Sequence, residues 1–308
     1  MGSEALIIEA AVNGAWPATW KRRGTGARNP VVPATPEEIT TDALACLAAG
    51  ATVIHNHTDD DVLDNATGRH ASEPYLAAYE AITAAHPGAI CYPTMSGGGD
   101  GRRIEDRYAH IVELHDAGLL GMGVADPGSL NLVGRRRDGQ VASTALPYIN
   151  APADVAWMFA WCAERDLPVH ASVFEPGHLR VLLGHLEAGT LPAKTKVQLY
   201  LGGPNMLFGL PNTPWSLDVY LRLLGDAPLR WMVGAIGGDV LASGVAAAAI
   251  AAGGHVRVGW EDFSPGPGRP AQPANAELVG EVVALANQLG RTVADTPTAR
   301  DLLGAPAR

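Results

Sequence analysis

The chain has 308 residues, 47% of them hydrophobic and 18% charged, with a formal net charge of -10. That much apolar content in a chain this long builds a full core without staples, and no charge block or low-complexity run marks it as disordered. The negative charge argues against nucleic acid as a partner, and no apolar stretch is long enough to cross a membrane. Cys46, Cys91 and Cys162 are odd in number and lack metal-type spacing, and the N-terminus carries no secretory pattern, so the chain reads as cytoplasmic with reduced thiols.

Short β-type runs alternate with longer helical runs along the whole chain. The predicted strands are Ala5–Val12, Ala51–His57, Ala89–Met95, Leu120–Ala125, Pro168–Phe174, Lys196–Leu201, Arg230–Ile236 and His255–Trp260. Helical stretches fall between and after them, near 37–49, 72–85, 103–117, 152–165, 177–188, 215–224, 239–252 and 274–289. Thr35-Pro36-Glu37-Glu38 offers a cap, a first-turn proline and acidic residues, and Gly50, Gly118, Gly189 and Gly253 supply stops. Eight strand–helix pairs in this length predict a single (β/α)8 TIM barrel over 1–308 with a C-terminal helical tail. The alternation also admits a doubly wound open sheet, but no G-x-G-x-x-G opens a helix after an early strand and no Walker sequence is present.

A barrel places function at the C-terminal ends of its strands. Those ends carry His55-Asn56-His57, Thr94-Met95-Ser96-Gly97, Asp126, Glu175, Gly237-Gly238-Asp239 and Trp260-Glu261-Asp262. His55 and His57 are two apart on a strand, so both imidazoles face one side and their nitrogens converge. A divalent metal needs that convergence. The eighth strand adjoins the second across the first in a closed barrel, which brings Glu261 in as a third ligand. Two histidines and a carboxylate with an open fourth position form a catalytic zinc arrangement, and iron(II) or another divalent metal fits the same set.

Other polar positions have two readings each. Glu9 sits in an apolar strand as a histidine-orienting group or a structural hydrogen-bond partner, the latter favoured. Glu175 and Asp126 read as bases or as loop caps, and His170 as a histidine facing the site or, favoured, a satisfied interior one. The Ser96–Gly101 turn and Gly237-Gly238-Asp239 either expose amides to a carboxylate or phosphate or serve close loop packing. Arg135-Arg136-Arg137 is a phosphate contact or, better, a solvated loop.

The chain resembles the β-keto acid cleavage enzyme family along nearly its whole length. The residues that carry the resemblance are Ala10-Ala11-Val12-Asn13-Gly14-Ala15, Thr35-Pro36-Glu37-Glu38, Ala49-Gly50-Ala51 leading to His55-x-His57, Gly253-Gly254-His255-Val256-Arg257-Val258-Gly259-Trp260-Glu261-Asp262, Asn275-Ala276-Glu277-Leu278-Val279, and the tail from Gly290-Arg291 to Leu303. H-x-H alone is weak; joined to G-G-H-x-R-x-G-x-E-D it is strongly specific. The resemblance implies a Zn2+ enzyme of (β/α)8 fold, a homo-oligomer (dimer or tetramer), with His55, His57 and Glu261 as ligands. It implies conversion of a β-keto acid and acetyl-CoA into acetoacetate and a new acyl-CoA, through an enolate that the metal stabilises. It makes Asp262 the catalytic base, beside the alternative that Asp262 orients a ligand or caps the next loop. Substrate contacts are expected from Asn13, Trp16, Thr94, Ser96, Gly97 and Gly238 at the barrel mouth.

The sequence also departs from the family pattern. Gly238 stands where the family has an arginine that pairs with the aspartate, so that partner falls to Arg257 or a loop arginine. Trp16 replaces an acid that reads a substrate amine, Met95 a serine, Val124 a threonine, Ser172 a glutamate, and Asp59 an arginine. Trp16 and Met95 predict an apolar or uncharged acyl tail. Two alternatives remain beside the acyl transfer: a metal hydrolase or lyase that does not use CoA, and an inactive metal-binding relative.

Overall fold

The computed structural model describes residues 4–14, 31–58, 63–99, 101–136, 138–142, 146–266 and 268–306. In chain order the elements are β1 Ile8–Ala11, α1 Pro36–Ala49, β2 Val53–Asn56, α2 Glu73–Ala85, β3 Ile90–Pro93, α3 Ile104–Arg107, α4 Ala109–Asp116, β4 Gly123–Ala125, β5 Leu130–Leu132 and β6 Leu146–Tyr148. They continue with α5 Pro152–Glu164, β7 Val169–Val173, α6 Pro176–Glu187, β8 Thr195–Gly202, α7 Pro214–Leu224, β9 Arg230–Ile236, α8 Val245–Ala251, β10 His255–Val258, α9 Asn275–Gln288 and α10 Thr296–Leu303.

Eight strands form one parallel sheet in the order β3-β2-β1-β10-β9-β8-β7-β4. Across the remaining seam, Gly121 N donates to Cys91 O at 2.8 Å and nearly closes the sheet on itself. A Cβ at Gly121 would lie 2.8 Å from Cys91 N, so the seam needs a glycine there. The architecture is a (β/α)8 barrel, and all eight predicted strands are its staves. Helices cover the outer face and side chains fill the interior, which buries β1, β2 and β3 at every position.

Helix starts follow the sequence signals. Thr35 caps α1: its Oγ1 accepts from Glu38 N at 3.3 Å while Glu38 accepts from Thr35 N at 3.1 Å. Two predicted helices differ from expectation. The stretch 103–117 is broken at Tyr108 into α3 and α4, where the Tyr108 hydroxyl donates to Val124 O at 2.9 Å and its ring meets Trp161. The stretch 239–252 is helical only from Val245, because Asp239 caps Leu241 N and Ala242 N at 3.0 Å and Gly244 turns left-handed at φ 81. The antiparallel pair β5 and β6 was not predicted; it pairs Leu130 with Tyr148 and Leu132 with Leu146. Leu130 joins a second small apolar cluster with Tyr200, Phe208 and Ile236, against which Tyr148 packs. Among the described residues no helix is long and apolar enough to cross a membrane.

Candidate functional site

The end of β1 fixes the site, because β1 lies between β2 and β10. Val12 N donates to His55 O at 3.0 Å on one side, and Ala11 O accepts from Glu261 N at 3.2 Å on the other. His55 is in register with Ala11 on β1 and Tyr92 on β3. His57 follows directly after β2, and its backbone N donates to Asn13 Oδ1 at 2.7 Å, while the Asn13 amide donates to Pro33 O at 2.8 Å. Glu261 comes close to the end of β1 because Gly14 has no side chain: a Cβ there would lie 2.3 Å from Glu261 Cγ.

These contacts bring three donor groups together. His55 Nε2 lies 3.0 Å from Glu261 Oε2 and His57 Nε2 lies 3.1 Å from Glu261 Oε1. One ligand atom from each of the three residues falls within 4.8 Å of the other two. Ligands on a tetrahedral ion with bonds of ~2.0–2.1 Å sit ~3.3 Å apart, so the spacing suits one divalent cation. Burial pushes the His55 imidazole below its ordinary range, which keeps it neutral and able to ligate, and its Nδ1 has no hydrogen-bond partner among the described residues. Burial would raise the Glu261 carboxyl, but the Arg257 guanidinium and the two imidazoles hold it well below the usual carboxylate range.

Arg257, on β10, joins this cluster to Asp262. It reaches Glu261 Oε2 at 2.6 Å through Nη2, and grips Asp262 with Nε at 2.7 Å and Nη2 at 3.1 Å. The sequence left this partner open between Arg257 and a loop arginine; the structure has Arg257 in the role. Burial raises the Asp262 carboxyl above the ordinary range, with Arg257 opposing and Glu261 adding to the rise. Gly238 lies at the same rim, its N 3.3 Å from Asp262 O.

Below Arg257 the barrel interior is polar. Arg257 Nη1 donates to Glu9 Oε1 at 2.9 Å and to the Tyr92 hydroxyl at 3.1 Å, and Lys196 Nζ binds Glu9 Oε2. The Tyr92 hydroxyl also meets His170 Nδ1 at 2.9 Å, so His170 is the satisfied interior histidine expected of it. Burial raises the Glu9 carboxyl, but Lys196 and Arg257 outweigh it and hold it ionised. Glu9 thus takes the structural hydrogen-bonding role favoured for it, but the sequence reading did not single out Tyr92 or Lys196; a lysine inside a strand whose other residues are all uncharged was the available signal.

The other candidates lie around the mouth. The Ser96 hydroxyl donates to Gly68 O, and Gly97 packs against the Tyr148 ring, where a Cβ would come within 2.9 Å. Thr94 O accepts from His110 Nε2 at 2.8 Å. Glu175 accepts from Gly209 N at 2.8 Å as a loop cap, and Asp126 accepts from the Tyr148 hydroxyl. Arg136 pairs with Asp138 at 3.2 Å on the surface, as a solvated loop does. Trp16, Asp59 and Arg137 lie outside the described residues.

The family described as beta-keto acid cleavage enzyme matches residues 5–305. The chain is 30% identical over 304 residues to a 3-keto-5-aminohexanoate cleavage enzyme of Acetoanaerobium sticklandii, covering 98% of each. It is 28% identical over 310 residues to a 3-oxoadipate:acetyl-CoA acetyltransferase of Cupriavidus necator, covering 99% of this chain and 96% of the relative. Among solved structures, a ternary complex of ObcA with a C4-CoA adduct and oxalate has a TM-score of 0.67 at 18% identity, over 89% of this chain and 68% of that one, a likeness of fold.

Proposed function

From the premise that the chain belongs to the β-keto acid cleavage enzyme family, we propose that it converts a β-keto acid and acetyl-CoA into acetoacetate and a new acyl-CoA, with zinc held by His55, His57 and Glu261. The observation that carries this reading is the convergence of two imidazoles and a carboxylate at the barrel mouth, with Asp262 gripped by Arg257 beside them. A divalent ion bound there supplies Lewis-acid polarisation of the substrate's keto and carboxylate oxygens. Two nitrogens and one carboxylate favour zinc among the common metals, with iron(II) as the competitor.

Asp262 then takes the proton from the carbon between the keto and carboxylate groups on a carboxylate oxygen. That carbon attacks the acetyl thioester and expels CoA thiolate. The thiolate adds to the original ketone, the carbon–carbon bond breaks, and Asp262 returns the proton to the departing acetoacetate. Arg257 holds both oxygens of Asp262, so the carboxylate keeps one orientation toward the substrate. The rim also suits an anionic substrate electrostatically. Glu9, Asp262 and Glu261 face Lys196 and Arg257, one negative charge in excess, and a divalent ion turns that to one positive charge.

Thr94, Gly97 and Gly238, with Trp16, are proposed to contact the substrate, whose acyl tail is apolar or uncharged. Asn13 and Ser96, also expected as substrate contacts, have side chains engaged by His57 N and Gly68 O, and are proposed to hold the rim in shape instead. The protein is proposed to act as one barrel domain with a C-terminal helical tail, as a cytoplasmic homo-oligomer of two or four copies. Zinc-loaded protein, incubated with acetyl-CoA and a panel of β-keto acids, should release acetoacetate, and His55→Ala should lose both zinc and turnover. Keto acid consumed without acetyl-CoA would replace the reading with a hydrolase or lyase, and zinc bound without any turnover would leave a binding protein.

A further inference from the structure

Arg257 is 1% exposed, and its side chain lies between two tiers of carboxylates. Above it are Glu261 and Asp262; below it is Glu9, its direct neighbour across the β1–β10 pairing. A guanidinium carries five donors in a rigid plane, so fixing one edge fixes the other. The lower edge, Nη1, is fixed by Glu9 Oε1 and the Tyr92 hydroxyl, and the upper edge then presents Nη2 and Nε to Glu261 and Asp262.

Glu9 is itself fixed from across the barrel. Lys196 stands on β8, two strands beyond β10, and binds Glu9 Oε2. Besides Glu9, the Lys196 ammonium has Met232 Sδ at 3.6 Å and the face of the Tyr92 ring at 5.8 Å. A lysine and a glutamate buried at 1% and 0% exposure are costly to desolvate, and replacing such a pair by apolar groups is often neutral or stabilising. Stability alone therefore gives weak grounds for a charged pair at the centre of a barrel.

We propose that Glu9, braced by Lys196, is the positioning residue for Arg257 and through it sets the orientation of both Glu261 and Asp262. The inference rests on the metal-site reading above and is independent of which keto acid the protein takes. Groups behind a metal ligand typically change affinity 10–100-fold when removed. Glu9 acts one contact further back, so the low end of that range is expected.

The test uses full-length protein as wild type, Glu9→Gln, Lys196→Met and the double variant, with zinc as the probe. Glu9→Gln should weaken zinc about ten-fold in chelator competition and lower kcat about ten-fold, with KM changing less than threefold. It also leaves Lys196 buried and unpaired, so Tm should fall. The double variant removes that stranded charge and should recover Tm while zinc affinity and kcat stay low. It also carries the test if Glu9→Gln alone does not fold. Recovery of zinc affinity together with Tm in the double variant would make the pair merely structural and overturn the proposal. So would a Glu9→Gln protein altered in Tm alone, or a wild type that takes no zinc. A wild type that binds zinc without turning over any keto acid sinks the functional reading, while the zinc comparison still decides this one.

Discussion

At the scale of single residues, the site depends on what is missing as much as on what is present. Gly14 follows β1 closely, and the space its Cβ would occupy is filled by Glu261, whose Cγ would be 2.3 Å away and whose Cα 3.1 Å. The nearest obstruction is a side chain, but the Cα sets a limit that rotation of that side chain cannot relieve. Gly14→Ala should therefore displace Glu261 from His55 and His57 and weaken zinc by at least ten-fold, a loss visible in chelator competition. The barrel strands are untouched, so Tm should move by no more than a few degrees. Unchanged zinc affinity would mean that Glu261 is not held where the site requires it. The three proposed ligands were legible in the sequence, because H-x-H at a strand end is a local pattern and barrel closure brings the carboxylate after β10 to it across β1. The grip of Lys196 on Glu9 was not, since 187 residues separate the two and no periodicity says which strands face each other across a barrel.

At the scale of elements, the loop before α2 is tied down by a histidine cluster. His70 Nδ1 meets the Tyr75 hydroxyl at 3.1 Å, and the His70 ring stacks on His110 of α4 with centroids 4.7 Å apart. Burial pushes His70 down to about 2 and His110 to about 4, from an ordinary 6.5. Both are neutral in the folded protein at neutral pH, while the unfolded chain protonates them below about 6.5. The unfolded state then binds more protons, so stability falls as pH drops from 6.5 toward 4. Each histidine contributes up to about 1.4 kcal/mol per pH unit in that window. Asp42, raised by burial to about 6, opposes this trend, so a paired comparison is needed. Urea unfolding at pH 6 and pH 5 should show wild type losing about 1 kcal/mol more than His70→Gln does. Equal losses would show that His70 titrates normally in the fold. Much at this scale was readable: the eight staves and most helix starts came from alternation and caps. The β5–β6 pair escaped because two three-residue runs carry little periodicity, and it stands on tertiary packing of Leu130 and Tyr148 against a distant cluster.

At the scale of the whole molecule, the two ends of the barrel divide the work. The proposed ligands and base sit at the C-terminal ends of the strands, and the C-terminal segment closes the opposite end. Leu6 N donates to Thr292 O and Ala294 N to Leu6 O, both at 2.8 Å, which adds residues 292–294 alongside the approach to β1. Arg291, 4% exposed, donates to the carbonyls of Glu4 at 3.0 Å, Ile250 at 3.2 Å, Gly253 at 3.1 Å and Gly254. Further on, Arg300 Nη1 reaches Gly88 O at 2.9 Å and Thr296 meets His86 at 3.0 Å. The tail thus joins chain from before β1, before β3 and before β10. Arg291→Ala strands those carbonyls and should cost about 3–5 kcal/mol, a fall in Tm of roughly 5–10 °C. Because the damage is remote from the mouth, zinc affinity and kcat at 25 °C should stay within about twofold of wild type. A barrel that is one cooperative unit must also unfold in one transition, in the variant as in the wild type, when followed by both tryptophan fluorescence and circular dichroism. Two separated transitions, with the tail melting first, would divide the chain and make the C-terminal helices a unit of their own.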